Sequence, residues 1–417
     1  KMDNAFVPES TKSLMWSTFA VGPFTEFIKP IGDTNVRIAT YSGWHITTQE
    51  LLADYSFRMY DYMAKLFGRS APLETYLTVW TPNAEDGRGI CELEWSTSQG
   101  LVTNPPPNVN YNEYAHRVFH IWNAFEPTGM AMNSPEESWF CEGTNVYYND
   151  KAVAQLGIKS DLTVMAYYLN EYLTEYVGTQ FDVPLAEAYK YAGWANFNKY
   201  NWLYYHKGAL VSYLLDETIM KVTGGDRSLD DVLKIVYACY GGFKGAIANG
   251  DIIQILRSVT AFDFSNFFER FIFGTERLPL KIEGVGLTVD WPELITMLKL
   301  VGIPIVKLHL SKSEVKLGDT LRVDIKLLNV NEQPLSGQAV NIYLDDMLIG
   351  VYTTGPDGSI TVQFKVIQDP GIHRIVVSYA GSPSYKPTKI FKVLMVKPLA
   401  SSLTLVIPIT VTQGESI

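Results

Sequence analysis

Cysteine is scarce in this chain, with Cys91, Cys141 and Cys239 the only three in 417 residues. None stands in a Cys-x-x-Cys pair, which argues against a cysteine zinc site. A Cys91–Cys141 bridge is one reading, but buried free thiols are preferred. Long apolar runs are missing as well. None approaches the roughly 18–20 residues of a membrane-spanning helix, and the stretch 294–306 is broken by Lys299 and Pro304. No Asn-x-Ser/Thr acceptor with an allowed middle residue and a non-proline successor occurs. Positive charge is also short. The chain has 34 Lys and Arg against 44 Asp and Glu, a net of −10. That excludes the basic stripe a nucleic-acid partner needs and predicts a solvated acidic surface.

What is present is material for large cores. Hydrophobic residues make up 47% and aromatics 13%, with 25 tyrosines and nine tryptophans, unlike a disordered chain. The length predicts two or three domains. The first residue is Lys1, no signal peptide follows, and the last residues, Gly414-Glu-Ser-Ile417, break off inside a pattern seen earlier. The sequence is therefore expected to be part of a longer protein.

The pattern along the chain changes near residue 300. Before it, residues 14–43 alternate as strands do, and 48–67 carry apolar residues at helical spacing up to Gly68. Strands are expected at 76–80 and 89–96, and a proline-rich loop at 104–108. Residues 151–275 read as mostly helical, for example 162–176, 208–220 and 229–240, ending in an aromatic helix at 263–274. After 300, short strands are expected at 306–310, 320–329, 338–344, 347–354, 360–366 and 373–379. Turn signals separate them, among them Gly318-Asp319, Asp345-Asp346 and Gly355-Pro-Asp-Gly358. Spacing near ten residues implies a β-sandwich. The acidic turn residues are read as turn chemistry rather than a calcium site. Val315-Lys-Leu-Gly318-Asp-Thr-Leu321 and Val411-Thr-Gln-Gly414-Glu-Ser-Ile417 form an internal repeat, so a second sandwich is expected to begin near residue 400.

Chemistry concentrates at His116-Arg-Val-Phe-His120 and Trp139-Phe-Cys-Glu142-Gly143. Two histidines at i and i+4 lie on one helix face, so both imidazoles can reach one metal. A glutamate from a second helix would be the third ligand. In the peptidase motif H-E-x-x-H, the residue after the first histidine takes the proton of the attacking water. Here that residue is Arg117, which stays protonated and cannot do so. Glu113 lies at i−4 to Arg117, and a local ion pair is expected. A shifted register, Asn112-Glu113-Tyr-Ala-His116, restores a glutamate but offers an asparagine as first ligand, a poor one for zinc. The His116/His120 register is preferred.

Further motifs carry a resemblance. Trp139-x-x-Glu142-Gly143 with Tyr147-Tyr148, His120-x-Trp122-Asn123 and Tyr205-x-Lys207-Gly208-Ala209 resemble gluzincin zinc aminopeptidases, in particular the glycyl aminopeptidase branch. The resemblance covers residues 15–290 and implies a thermolysin-like α+β catalytic domain, a small sheet followed by a helical lobe. It implies zinc on His116, His120 and Glu142, and Tyr205 as donor to the transition-state oxyanion. Glu92 or Glu94, in Gly89-Ile-Cys-Glu-Leu-Glu94, would bind a peptide's free N-terminus, and the sequence does not choose between them. Phe271-Ile-Phe-Gly274 and Leu278-Pro-Leu280 resemble the segment that closes such a domain. Residues 306–397, with Gly371-x-His373 and Ser378 to Tyr385, resemble prokaryotic Ig-like surface repeats.

Three departures stand out. The saddle-shaped β domain that precedes the catalytic domain in the family is not within these 417 residues, an Ig-like module stands where that branch would carry a PDZ domain, and the general base is absent. The expected domains are 1–150 and 151–300 for the two parts of the peptidase-like region, 301–399 for the Ig-like sandwich and 400–417 for the start of its repeat. The expected protein is extracellular or at a prokaryotic cell surface. Its peptidase-like domain would be impaired and used for binding or structure, with peptide N-termini or surface-layer or filament subunits as partners. The alternative is an active zinc hydrolase with Glu113 as an atypical base.

Overall fold

In the computed structural model the chain divides into two compact units, Lys1–Val301 and Gly302–Ile417. The structure describes residues 22–81, 90–91, 98–102, 111–124, 129–158, 170, 183–193, 199–242, 244–284 and 286–398, and of residues 81–102 in that set only the backbone. Within those bounds the chain is a mixed α+β protein. The expected helix at 162–176 and most of the expected strand at 89–96 lie outside the described residues.

The first unit opens with the hairpin β1 (Phe24–Ile31) and β2 (Thr34–Tyr41). Along β2 every second residue, Val36 and Ile38 among them, is buried, the period-2 signature of a sheet with one covered face. The cover is α1 (Ile46–Leu66), whose Leu52, Tyr55, Met59, Tyr60 and Met63 form an apolar stripe at helical spacing. The chain then returns as β3 (Thr75–Thr81), followed by β4 (Ile90–Cys91) and β5 (Ser98–Val102). The sheet order is β1-β2-β3-β5-β4. β2, β3 and β5 run parallel, and each edge strand is antiparallel to its neighbour.

The helix α2 (Tyr111–Asn123) is pinned to this layer by aromatic packing and hydrogen bonds. Trp122 stacks on Phe67 with ring centroids 5.7 Å apart and donates from Nε1 to Arg69 O. The Tyr55 hydroxyl donates to Tyr111 O at 2.7 Å. Next come a turn of π-helix, Trp139–Gly143, and α3 (Thr144–Gln155). The short α4 (Lys199–Trp202) leads into a second π-turn, Leu203–Lys207, and then α5 (Gly208–Val222). The lobe is completed by α6 (Leu229–Tyr240), α7 (Asn249–Thr260) and α8 (Ser265–Phe271). A parallel pair β6 (Ala131–Met132) and β7 (Ala246–Ile247) ties the two ends of this region together. The hairpin β8 (Leu280–Glu283) and β9 (Gly286–Val289) and the helix α9 (Trp291–Leu298) end the unit.

The second unit consists of two sheets, β10-β12-β15 and β11-β17-β16-β13-β14. Its strands are β10 (Pro304–Leu310), β11 (Glu314–Lys316), β12 (Thr320–Asn329), β13 (Ala339–Leu344), β14 (Met347–Thr353), β15 (Ser359–Lys365), β16 (Gly371–Tyr379) and β17 (Thr388–Lys397). Leu308, Val323, Val340, Ile342, Val377 and Leu394 belong to one buried cluster that both sheets share. At Gly318 the backbone takes φ +87, which glycine adopts without strain. Beside it Asp319 Oδ2 accepts Lys316 N. Asp345, weighed above for calcium, instead accepts from Arg374 N and bonds to His373 Nδ1 at 2.7 Å.

Candidate metal centre

His116 and His120 face α3 from α2, and both are buried. Glu142 reaches them from the π-turn rather than from a regular helix. His116 Nε2 and His120 Nε2 are 3.0 Å apart, and Glu142 Oε2 is 3.3 Å from each. These three atoms form a triangle. Ligand atoms bound tetrahedrally at zinc's usual distances stand about 3.3–3.4 Å from one another, so the observed edges fit such a shell closely. Glu142 Oε2 is buried and makes no directed hydrogen bond, as suits an oxygen that faces a cation. Burial pushes the Glu142 carboxyl upward, but His120 and His116 outweigh it and hold the group well below the usual carboxylate range. Among the described residues these are the three that converge as metal ligands.

Surrounding hydrogen bonds prepare one ligand nitrogen. Asn123 donates from Nδ2 to Cys141 O at 2.7 Å, which leaves its Oδ1 toward His120 Nδ1 at 2.9 Å. His120 therefore carries its proton on Nδ1 and presents a lone pair at Nε2. On His116, Asn145 Nδ2 donates to the backbone carbonyl and Asn149 Nδ2 lies 3.5 Å from Nδ1.

Two wide turns aim the remaining groups. In the first, Thr144 N–H reaches back to Trp139 O, and in the second, Gly208 N–H reaches back to Leu203 O. Single π-turns often mark functional sites because they rotate side chains away from the 3.6-residue register. They meet at Gly143 and Gly208. A Cβ on Gly143 would stand 2.4 Å from Gly208 Cα, and one on Gly208 would stand 2.9 Å from Gly143 Cα. Only glycine at both positions permits that approach. It brings Tyr205 to Glu142, to which its hydroxyl bonds, and sets its ring 6.1 Å from the His116 ring. Burial, then the Glu142 charge, raises the Tyr205 phenol far above its ordinary value, so it stays protonated.

The first turn is locked from behind. Trp139 Nε1 donates to Asn249 Oδ1, and Asn249 N and Nδ2 both donate to Glu137 Oε1. Trp139 also packs edge-on against Phe268 of α8 at 5.8 Å. Lys207, buried at the end of the second turn, is pushed down to about 8 by burial.

Arg117 stands beside His116 on α2. Its Nε and Nη2 both reach Glu113 Oε1, at 3.0 and 2.8 Å. Burial lowers its affinity for the proton while Glu142 and Tyr205 act the other way, so the guanidinium lies within electrostatic range of both. Cys141 is a free thiol, raised by burial and then by Glu142. Glu92 and Glu94 lie outside the described residues.

Fold and site together define an α+β protein with a peptidase-like fold and a His-His-Glu cluster able to hold a metal. No protein-family model matches the chain, and no curated protein matches it. Among solved structures, an aminopeptidase N family protein from Idiomarina loihiensis is similar at 14% identity and a TM-score of 0.51. The similarity covers 91% of this chain and 68% of that one. At that identity it bears on the fold alone.

Proposed function

We propose that the first unit is a gluzincin-type peptidase domain, nearest the glycyl aminopeptidase branch, that holds zinc but has lost peptide hydrolysis and serves as a binding or structural module. The observation that carries this reading is the triangle of His116, His120 and Glu142 with Arg117 where the base would stand. Zinc bound there would act as a Lewis acid toward a carbonyl oxygen. Tyr205 would donate a hydrogen bond to that oxygen as charge develops on it. The position of the base in the motif is held by Arg117. Arg117 cannot take the proton of an attacking water, and Glu113 is held by Arg117 through two nitrogens. That pair argues against the alternative, an active hydrolase with Glu113 as base.

The second unit, with two sheets around one core, is proposed to be an Ig-like module of an extracellular or cell-surface protein, with a further copy beginning near residue 400. The expected recognition of peptide N-termini would rest on Glu92 or Glu94.

The test is peptide hydrolysis by the zinc-loaded chain and by Arg117→Glu. The unaltered protein should show no chelator-sensitive turnover, and Arg117→Glu should gain about 10²–10⁴-fold in rate. Brisk, chelator-sensitive turnover by the unaltered protein, abolished by Glu113→Gln, would favour the active reading.

A further inference from the structure

The five-stranded sheet of the second unit has one face on its core and an outer face that is also apolar. An antiparallel sheet with a solvated outer face normally shows polar residues there. Strand register instead aligns Leu348, Tyr343, Val376 and Phe391 in one row across β14, β13, β16 and β17. Val393 and Ile372 continue the patch, paired with Arg374 and Met395. Exposure is high: Ile372 71%, Val393 51%, Leu348 50% and Phe391 44%. A contiguous apolar patch differs from single exposed residues and marks an interaction surface. The charges beside the apolar row are basic, and the acidic residue that β11 adds to this face, Glu314, is paired with Lys397. Arg374 lies 5.8 Å over the Phe391 ring, and Lys389 is exposed on the same face of β17, two residues before Phe391.

Charge selects the occupant. Residues 1–301 carry 35 acidic and 23 basic side chains, a net of −12, whereas residues 302–417 carry 9 and 11, a net of +2. The acidic unit also offers a helix face of matching character. On α1, opposite the buried stripe, Ile46 and Leu51 are 50% and 51% exposed and flank Glu50 and Asp54. Asp54 has only a 3.5 Å contact with Arg58. A twofold contact between two copies of the sheet face would set Arg374 and Lys389 against themselves. A contact between the sheet face and α1 sets them against Glu50 and Asp54 and covers the apolar row together with Ile46 and Leu51.

We propose that the outer face of the β11-β17-β16-β13-β14 sheet binds α1 of a second copy of this chain. Such a contact joins unlike surfaces, so a pair joined once keeps one sheet face and one α1 unused, and these bind either each other or further copies. It does not involve the metal centre, so zinc-loaded and zinc-free chains associate alike.

Sedimentation velocity of the full chain over a range of concentrations tests this. Mass should rise with concentration above that of the monomer. Arg374→Glu with Lys389→Glu, and separately Glu50→Lys with Asp54→Lys, should each weaken association at least about tenfold, the equivalent of about 1.4 kcal/mol. An equimolar mixture of the two variants should associate again, because each variant's altered surface now fits the other's. Val393→Lys should weaken association through the apolar patch, with circular dichroism unchanged. A wild-type chain that stays monomeric throughout, charge-reversed variants that associate as the wild type does, or a mixture that stays apart would each overturn the proposal.

Discussion

At the residue scale, the metal centre depends on neighbours that bind no metal. Asn123 fixes the His120 tautomer through Oδ1 because its Nδ2 is engaged by Cys141 O. Asn123→Leu removes that acceptor and should weaken zinc binding about 10–100-fold, read by competition with a chromophoric chelator. Gly208→Ala would set a Cβ 2.9 Å from Gly143 Cα and 3.2 Å from Trp139 O. Overpacking of this kind costs about 1–3 kcal/mol. Thermal melting should register that cost, and Glu142 should move off the histidines. His116, His120, Glu142 and Tyr205 were legible in the sequence because their spacing and flanking aromatics form a pattern. Asn123, Gly143 and Gly208 were visible only as letters of motifs. Their roles depend on which backbones approach closely, and spacing does not encode that. Asn149 gave no signal, since it meets His116 across two helices.

At the element scale, the 139–143 turn is held by a buried carboxylate. Glu137 Oε1 accepts from Asn249 twice, and Oε2 accepts from Ser134 N and Oγ. Glu137→Ala would strand buried donors at about 1–3 kcal/mol, and denaturant unfolding should show that loss together with weakened zinc binding.

The second unit has a pH-dependent contact of its own. His373 is raised by its bond to Asp345. Burial pushes Asp345 up, but His373 and Arg374 N–H outweigh it and the group is lowered. A raised histidine contributes stability below its unfolded pKa of about 6.5 and loses it as pH climbs through the folded value. A lowered aspartate contributes above about 3.9 and loses stability as pH falls through its folded value. The pair should therefore stabilise most between about pH 4 and 6.5, by less than about 1 kcal/mol because the Asp345 side chain is 41% exposed and solvent screens it. Melting curves of the wild type and His373→Gln should converge at alkaline pH and separate between those limits.

Long helices such as α1, α5 and α6 follow from 3.6-residue periodicity, and their sequence-based positions agree with the structure. The π-turns escape that period by construction. β17 escaped the alternation test because Phe391 and Val393 face outward opposite a buried Leu394, so both faces read as apolar. β11, β8 and β9 are only three or four residues long, too short for a period to register.

At the scale of the whole molecule, charge is divided unevenly between an acidic first unit and a faintly basic second one. That division underlies the proposed head-to-tail association. The helical content of residues 199–271 was readable in broad outline from its apolar periodicity. Assembly was not readable, because an outward apolar row exists only once strands are paired in register.

His116, His120 and Glu142 are proposed to form a working zinc site. Zinc content per chain by elemental mass spectrometry, after dialysis of the purified protein against zinc-free buffer, tests this most directly. One zinc per chain is expected, lost in His120→Ala. A chain that retains no zinc, or holds the same amount after that substitution, would contradict it.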